Sequence, residues 1–155
     1  MKISGRSTVP AGQERAYALL QAPEVLARCM PGCEALDKIG EGEYAMRMKM
    51  SLVSMSGLFQ GKVRVTDQNP YTSFRLIVEG TGKIGFMKGD GVLHLAPNSP
   101  DTNVTFEGDV QVGGTIAAVG QRLIESTAKM LIKKFFDCLS AEAATARERE
   151  SRHVI

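Results

Sequence analysis

Tryptophan is absent from this chain, and the other aromatics are scarce, Phe and Tyr making up 6% of its 155 residues. The apolar interior must therefore rely on aliphatic side chains and on eight methionines, whose flexible thioethers fill irregular space. Three cysteines and two histidines are too few and too scattered for a disulfide scaffold or for the roughly four ligands of a structural zinc site. An excess of one charge is lacking too: 19 Lys and Arg against 17 Asp and Glu leave +2, which excludes the basic stripe of a nucleic-acid binder. No stretch approaches the roughly 18 apolar residues of a membrane span. Met1 to Arg6 has no apolar signal core, so a cytoplasmic chain with reduced thiols is expected. What is present, at 43% hydrophobic content, is material for one core in one domain.

Cys29 and Cys33 flank Met30-Pro31-Gly32 and are expected to pack around that turn, while Cys138 falls on a helical stripe. No metal is expected at them. His94 alternates with Leu93 and Leu95 and should face solvent, and His153 lies in a polar tail. No nucleophile–His–acid set has a spacing signal behind it. An iron site of two His and a carboxylate would have to join His94 to a tail residue.

Periodicity divides the chain into three parts. Lys2 to Val9 alternates weakly and ends at Pro10-Ala11-Gly12, a strand and a turn. Gln13 to Leu20 carries Ala16, Leu19 and Leu20 at helical spacing, and Ala22-Pro23-Glu24 opens a second short helix that Pro31-Gly32 stops. From Glu34 to Val112 the period is two. Met46, Met48 and Met50 oppose Arg47 and Lys49; Phe59 and Val63 oppose Gln60 and Arg64; Phe74 and Leu76 oppose Ser73 and Arg75, with Ile77 breaking the polar set. Turn clusters separate about six such strands, which with the first make an antiparallel meander with one wet face. After Gly113-Gly114 the period becomes 3.6, with Ile124, Ala128, Leu131, Ile132, Phe135, Cys138, Leu139 and Ala143 on one stripe. Thr115 is the expected N-cap of a helix running from Ile116 to the Ala141–Ala146 region. Glu142, at the stripe's edge, places the end of burial near Leu139. Residues 146–155 read as a polar extension of a domain spanning 1–145.

An open sheet must cover its apolar face, and only one long helix is available. The expected fold class is α+β: a curved antiparallel sheet of about seven strands wrapped around a long C-terminal helix, with two short helices after the first strand. One cylinder does not fill a wide concave surface, so a cavity should remain. The inward positions that should line it are Met46, Met48, Met50, Phe59, Val63, Phe74, Leu76, Phe86, Leu93, Phe106, Ile124, Leu131 and Phe135. With few polar groups among them, such a pocket selects by shape and apolarity, as for a lipid, isoprenoid or quinone. Gly80, Gly82 and Gly85 satisfy the dinucleotide-binding spacing on paper, but a strand at Val92 to Leu95 follows where that motif needs a helix. Two readings stand for this stretch: a bulged hairpin, or a cavity mouth beside Phe86 and Met87.

Thr8-Val9-Pro10, Ala22-Pro23-Glu24-Val25-Leu26, Cys29-Met30-Pro31-Gly32-Cys33-Glu34 and Gly85-Phe86-x-Lys88-Gly89 together resemble the carbon monoxide dehydrogenase G-subunit family, over about residues 1 to 145. The resemblance implies a START-like (SRPBCC) helix-grip fold. It also implies a non-catalytic accessory protein beside a molybdenum hydroxylase of the carbon monoxide dehydrogenase type, at the cytoplasmic membrane, with no covalent cofactor and an apolar ligand such as a quinone or lipid. The alternative is a ligand-free docking or assembly factor. Phe136 would serve it if it projects from the polar side of the long helix near Lys129 and Lys133; otherwise Phe136 widens the buried stripe beside Ile132. An enzyme would need titratable groups at inward positions, which the strand pattern makes apolar. Lys129, Lys133 and Lys134, diluted by Glu125 and Asp137, suggest only weak peripheral contact with a membrane.

Overall fold

The structure, a computed structural model, describes residues 1–52 and 55–153, with side chains through residue 149. The alternating segments form one antiparallel sheet of seven strands: β1 (Lys2–Val9), β2 (Cys33–Gly40), β3 (Glu43–Leu52), β4 (Met55–Asn69), β5 (Ser73–Gly82), β6 (Gly85–Asn98) and β7 (Asp101–Gly113). Their order is β1-β7-β6-β5-β4-β3-β2, so the meander is uninterrupted and β1 closes against its last strand. The glycine-rich stretch makes a plain β5–β6 hairpin with Gly82 opposite Gly85 and no register shift, not a bulged one. Gly85 sits at φ 136°, where a Cβ would overlap the Gly113 carbonyl. Close backbone approach, not a bulge, is what that glycine serves.

Between β1 and β2 lie two short helices, α1 (Gln13–Leu19) and α2 (Pro23–Cys29). Pro23 and Glu24 open α2, and Arg28 sits in its last turn, each at the end its chemistry favours. The long helix α3 (Gln121–His153) starts five residues later than Ile116. Thr115–Val119 forms a separate 3₁₀ turn, ended by Gly120 at φ 96°. A break placed on a glycine is invisible to the 3.6 period, because no side chain falls out of step there. At the other end burial passes Leu139, since Ala143 is fully buried. Glu142 is turned away from the core by Arg28, whose Nε and Nη2 donate to its carboxylate at 2.7 and 3.0 Å. Further along, Arg147 donates to Asp101 at 3.0 Å and to the Pro100 carbonyl at 2.8 Å, tying this part of α3 to the β6–β7 turn. The side chain of His153 lies outside the described residues.

The cysteine expectation is overturned for two of the three. Cys29 and Cys138 form a disulfide with Cα atoms 5.3 Å apart. Both lie on the apolar faces by which α2 and α3 pack, which brings them within bridging range whatever the sequence separation suggests. Cys33 remains a free thiol. Burial pushes its pKa up, which keeps it protonated and unreactive near neutral pH.

The solid part of the core lies under α1, α2 and the later turns of α3. Val9, Ala16, Leu20, Phe74, Val104 and Leu139 are almost completely buried there. Each large side chain of this kind contributes about 1.5–3 kcal/mol of burial. Tyr17 packs edge-on against Phe74 at 5.7 Å and donates its hydroxyl to the Ser73 carbonyl at 3.0 Å. Buried Thr102 is satisfied by the Ala11 carbonyl at 2.7 Å. On the outer face, Ile77 is also buried, between Arg64 and Asp90 on the neighbouring strands. A two-pronged Arg75–Asp90 pair spans β5 and β6 beside it, with contacts of 2.8 and 2.5 Å. That is why an apolar residue interrupts the polar side of β5.

These ties have measurable effects on stability. Cys138→Ser, or a reductant, should lower the unfolding free energy by about 2–4 kcal/mol, read as an earlier urea midpoint; coincident midpoints would show that the bond does not form. Hydrogen bonds from Arg75 hold the Asp90 carboxyl below its ordinary range, and those from Arg28 do the same for Glu142. A depressed folded pKa adds stability above the unfolded value of about 4, lost as pH falls through the folded value. With Arg75 partly exposed, solvent screening keeps that gain small. Asp90→Asn should thus be less stable than the parent at pH 7, and the gap in urea midpoint should close in acid.

Candidate functional site

Between the first half of α3 and the middle of the sheet the packing stops, leaving a partly open cavity of about 290 Å³. Its origin is a run of inward glycines. Gly89 and Gly91 share the inner face of β6 with Met87 and Leu93, and Gly108 shares that of β7 with Phe106 and Val110. Gly91 and Gly108 are cross-strand partners, and Gly89 pairs with Val110. The floor of the cavity is therefore largely main chain. A Cβ added to Gly89 would meet nothing within 4 Å, whereas one on Gly108 would come 2.6 Å from the Asp90 carbonyl oxygen. Without side chains to cover it, the backbone of Asp90, Glu107 and Asp109 also borders the space. Their carboxylates belong to the opposite, outer face: Asp90 pairs with Arg75, and Asp109 lies 3.6 Å from the terminal ammonium of Met1.

The roof is α3, which presents Ile124, Leu131, Ile132 and Phe135; Met48, Met50 and Leu52 of β3 and Leu26 of α2 complete the sides. Among the described lining residues no titratable side chain is turned inward. Phe106 stacks on Phe136 with ring centres 5.6 Å apart. This pair divides the cavity from a groove of about 380 Å³ between β1 and α3, bordered by Arg6, Lys129, Lys133 and Asp137. Phe136 is therefore a buried wall residue and not a projecting contact. Lys129 and Lys133 are held by Glu125 at 3.0 Å and Asp137 at 2.9 Å along the helix.

Of the residues expected to line the cavity, Met48, Met50, Leu76, Leu93, Phe106, Ile124, Leu131 and Phe135 do so. Five do not. Phe74 faces inward but is sealed by Tyr17 of α1. Met46 and Val63 pack with Tyr44 and Leu36, the Met46 methyl resting near Gly80. Phe59 fills the space against Leu52 and Ile116. Phe86 points the other way and is about half exposed, lying over Gly113. Its even position in β6 puts it opposite Met87, so the two cannot share a cavity mouth; only Met87 lines the space. Gly89, Gly91 and Gly108, absent from the expectation, are recoverable by carrying the alternation through glycine as well as through large apolar residues. Thr127, inside a helical stripe, carries no such signal.

The family profile described as the carbon monoxide dehydrogenase G subunit (CoxG) matches residues 5–144, nearly the whole fold. The chain belongs to the CoxG family. Among solved structures, this family member is similar to a conserved protein from Geobacillus kaustophilus, at 32% identity and a TM-score of 0.89 over 94% of this chain and 97% of that one. A START superfamily protein from Mycobacterium smegmatis shares the fold at 15% identity and a TM-score of 0.70, over 94% and 98% of the two chains. So does an aromatase/cyclase from Streptomyces sp. R1128, at 12% identity and a TM-score of 0.64, over 93% of each. No curated protein matches. The START-like helix-grip fold of this CoxG-family chain is thus established. Among its described residues no group of three or more His, Cys, Asp or Glu is placed to hold a metal, and no helix is long and apolar enough to cross a membrane.

Gly89 gives the site a test that leaves the rest of the fold alone. Gly89→Leu should fold normally, because its Cβ enters open space. Losing the room for about two buried methylenes should weaken an apolar fluorescent probe such as diphenylhexatriene about 10-fold. Unchanged affinity in a folded Gly89→Leu protein would place the probe elsewhere.

Proposed function

We propose that this chain is a non-catalytic carrier that encloses a lipid- or quinone-like molecule in the glycine-floored cavity and serves a molybdenum hydroxylase of the carbon monoxide dehydrogenase type. The observation that carries the reading is the character of the walls: hydrocarbon and thioether side chains over bare backbone, with the neighbouring carboxylates on the other face of the sheet. Such walls offer an apolar body shape and shelter but no proton donor or acceptor of tuned pKa, which is what acid–base chemistry needs. Membership of the CoxG family supplies the partner class. A molybdenum hydroxylase must pass electrons to an acceptor, and a quinone is apolar and dissolved in the membrane. A shell that shields it from water connects the two.

Contact with the membrane would be peripheral. Lys129 and Lys133 are already paired with acids, so attraction to an anionic surface is reduced below about 1 kcal/mol per lysine and is screened further by salt. Mass spectrometry of an organic extract of the purified protein should show a stoichiometric apolar molecule. Incubation with anionic phosphatidylglycerol vesicles containing a quinone should load the protein at low ionic strength, with co-sedimentation lost as salt is raised. A clean extract together with no uptake from vesicles would favour a docking factor without cargo.

A further inference from the structure

Thr127 borders the cavity from α3, and among the described lining residues it is the single one with a side-chain hydroxyl. The other polar residues there, Asp90, Glu107 and Asp109, occupy outward positions of β6 and β7 and contribute main chain. Thr127 is half-buried on the stripe that also carries Ile124, Ala128 and Leu131. A threonine inside a helix commonly satisfies its hydroxyl by donating back to a carbonyl of the preceding turn. The adjacent Ser126 does so, reaching the Leu123 carbonyl at 3.1 Å. Thr127 makes no such bond and has no side-chain hydrogen bond to any described residue. With no protein partner, the Thr127 hydroxyl is left available to a ligand oxygen.

We propose that Thr127 is the specificity-determining residue of the cavity, its hydroxyl donating a hydrogen bond to one carbonyl or hydroxyl oxygen of a largely hydrocarbon ligand. The inference rests on the carrier reading and adds orientation to it: the oxygen-bearing end lies against α3, and the hydrocarbon lies over the glycine floor.

The test compares two probes of matched chain length, 2-undecanone and undecane, by their displacement of diphenylhexatriene from the purified protein. Thr127→Val keeps the shape and removes the hydroxyl; Thr127→Ser restores the hydroxyl. The valine variant should weaken 2-undecanone about 3- to 10-fold, the range of one neutral hydrogen bond. Undecane and diphenylhexatriene should bind it as they bind the parent, and the serine variant should recover most of the ketone affinity. Equal binding of both probes to parent and valine variant overturns the role of Thr127 while leaving the carrier reading intact. A parallel loss of ketone, alkane and diphenylhexatriene in the valine variant also overturns it, since packing would then be the cause. Failure of diphenylhexatriene to bind the parent at all removes the carrier reading and this inference together.

Discussion

A single helix cannot cover seven strands. Strands about 4.8 Å apart make a sheet roughly 29 Å wide before it curls, whereas a helix with its side chains is about 10–12 Å across. Everything else in the architecture answers that mismatch. Curvature brings the flanks of the sheet toward α3, and α1 and α2 plug one end with Tyr17, Leu20, Val25 and Cys29. At the other end the 3₁₀ turn drops Ile116 against Leu52 and Phe59. Between the two plugs the inner face could have been filled by large residues on β6 and β7. It carries Gly89, Gly91 and Gly108 instead. The cavity is thus the product of specific residue choices at the one place where neither plug reaches.

The same frame in the aromatase/cyclase neighbour shows that the helix-grip architecture does not itself decide between chemistry and carriage. What decides is which groups the inner face presents. In this CoxG-family chain the charged residues of β5, β6 and β7 are spent on the outer face, in the Arg75–Asp90 pair and the contact of Asp109 with the Met1 ammonium. The alternation that makes the sheet half-wet also keeps those charges on the face away from the cavity. A one-residue slip in β6 would exchange the two faces, bringing Lys88 and Asp90 inward.

The sheet and the long helix were legible because each rests on a period: two through β3 to β7, and 3.6 along α3. The site was only half legible, and the failures share a cause. Alternation assigns a residue to a face but says nothing about what covers that part of the face. Met46, Val63 and Phe74 have the right parity but are covered, the first two by Tyr44 and Leu36 of β3 and β2, and Phe74 by Tyr17 of α1, a helix far from it in sequence. Phe86 neighbours the glycines in sequence, but its even position in β6 already puts it outside. The cysteine pairing was hidden for a related reason: the count suggests free thiols, but the two apolar stripes carrying Cys29 and Cys138 meet only once α2 has docked on α3. Thr127 is the limiting case, since a hydroxyl without a partner is a property of three-dimensional packing and leaves no trace in a pattern of letters.

The bond between Cys29 and Cys138 has a topological consequence. The residues it joins are 109 apart in sequence, and β2 through β7 all lie between them. Six of the seven strands therefore belong to one covalent ring, with β1 and α1 outside it on one side and the last turns of α3 on the other. A protease that cuts a single hairpin tip inside the ring opens the loop without releasing a fragment, because both pieces stay joined through sulfur. Under oxidising conditions a nicked molecule would run at its full mass and separate into two bands only after reduction. Cuts in the β1–α1 turn, outside the ring, would shed β1 directly once it leaves the sheet, and with it Ile3, the residue that seals the edge of the cavity beside Gly108.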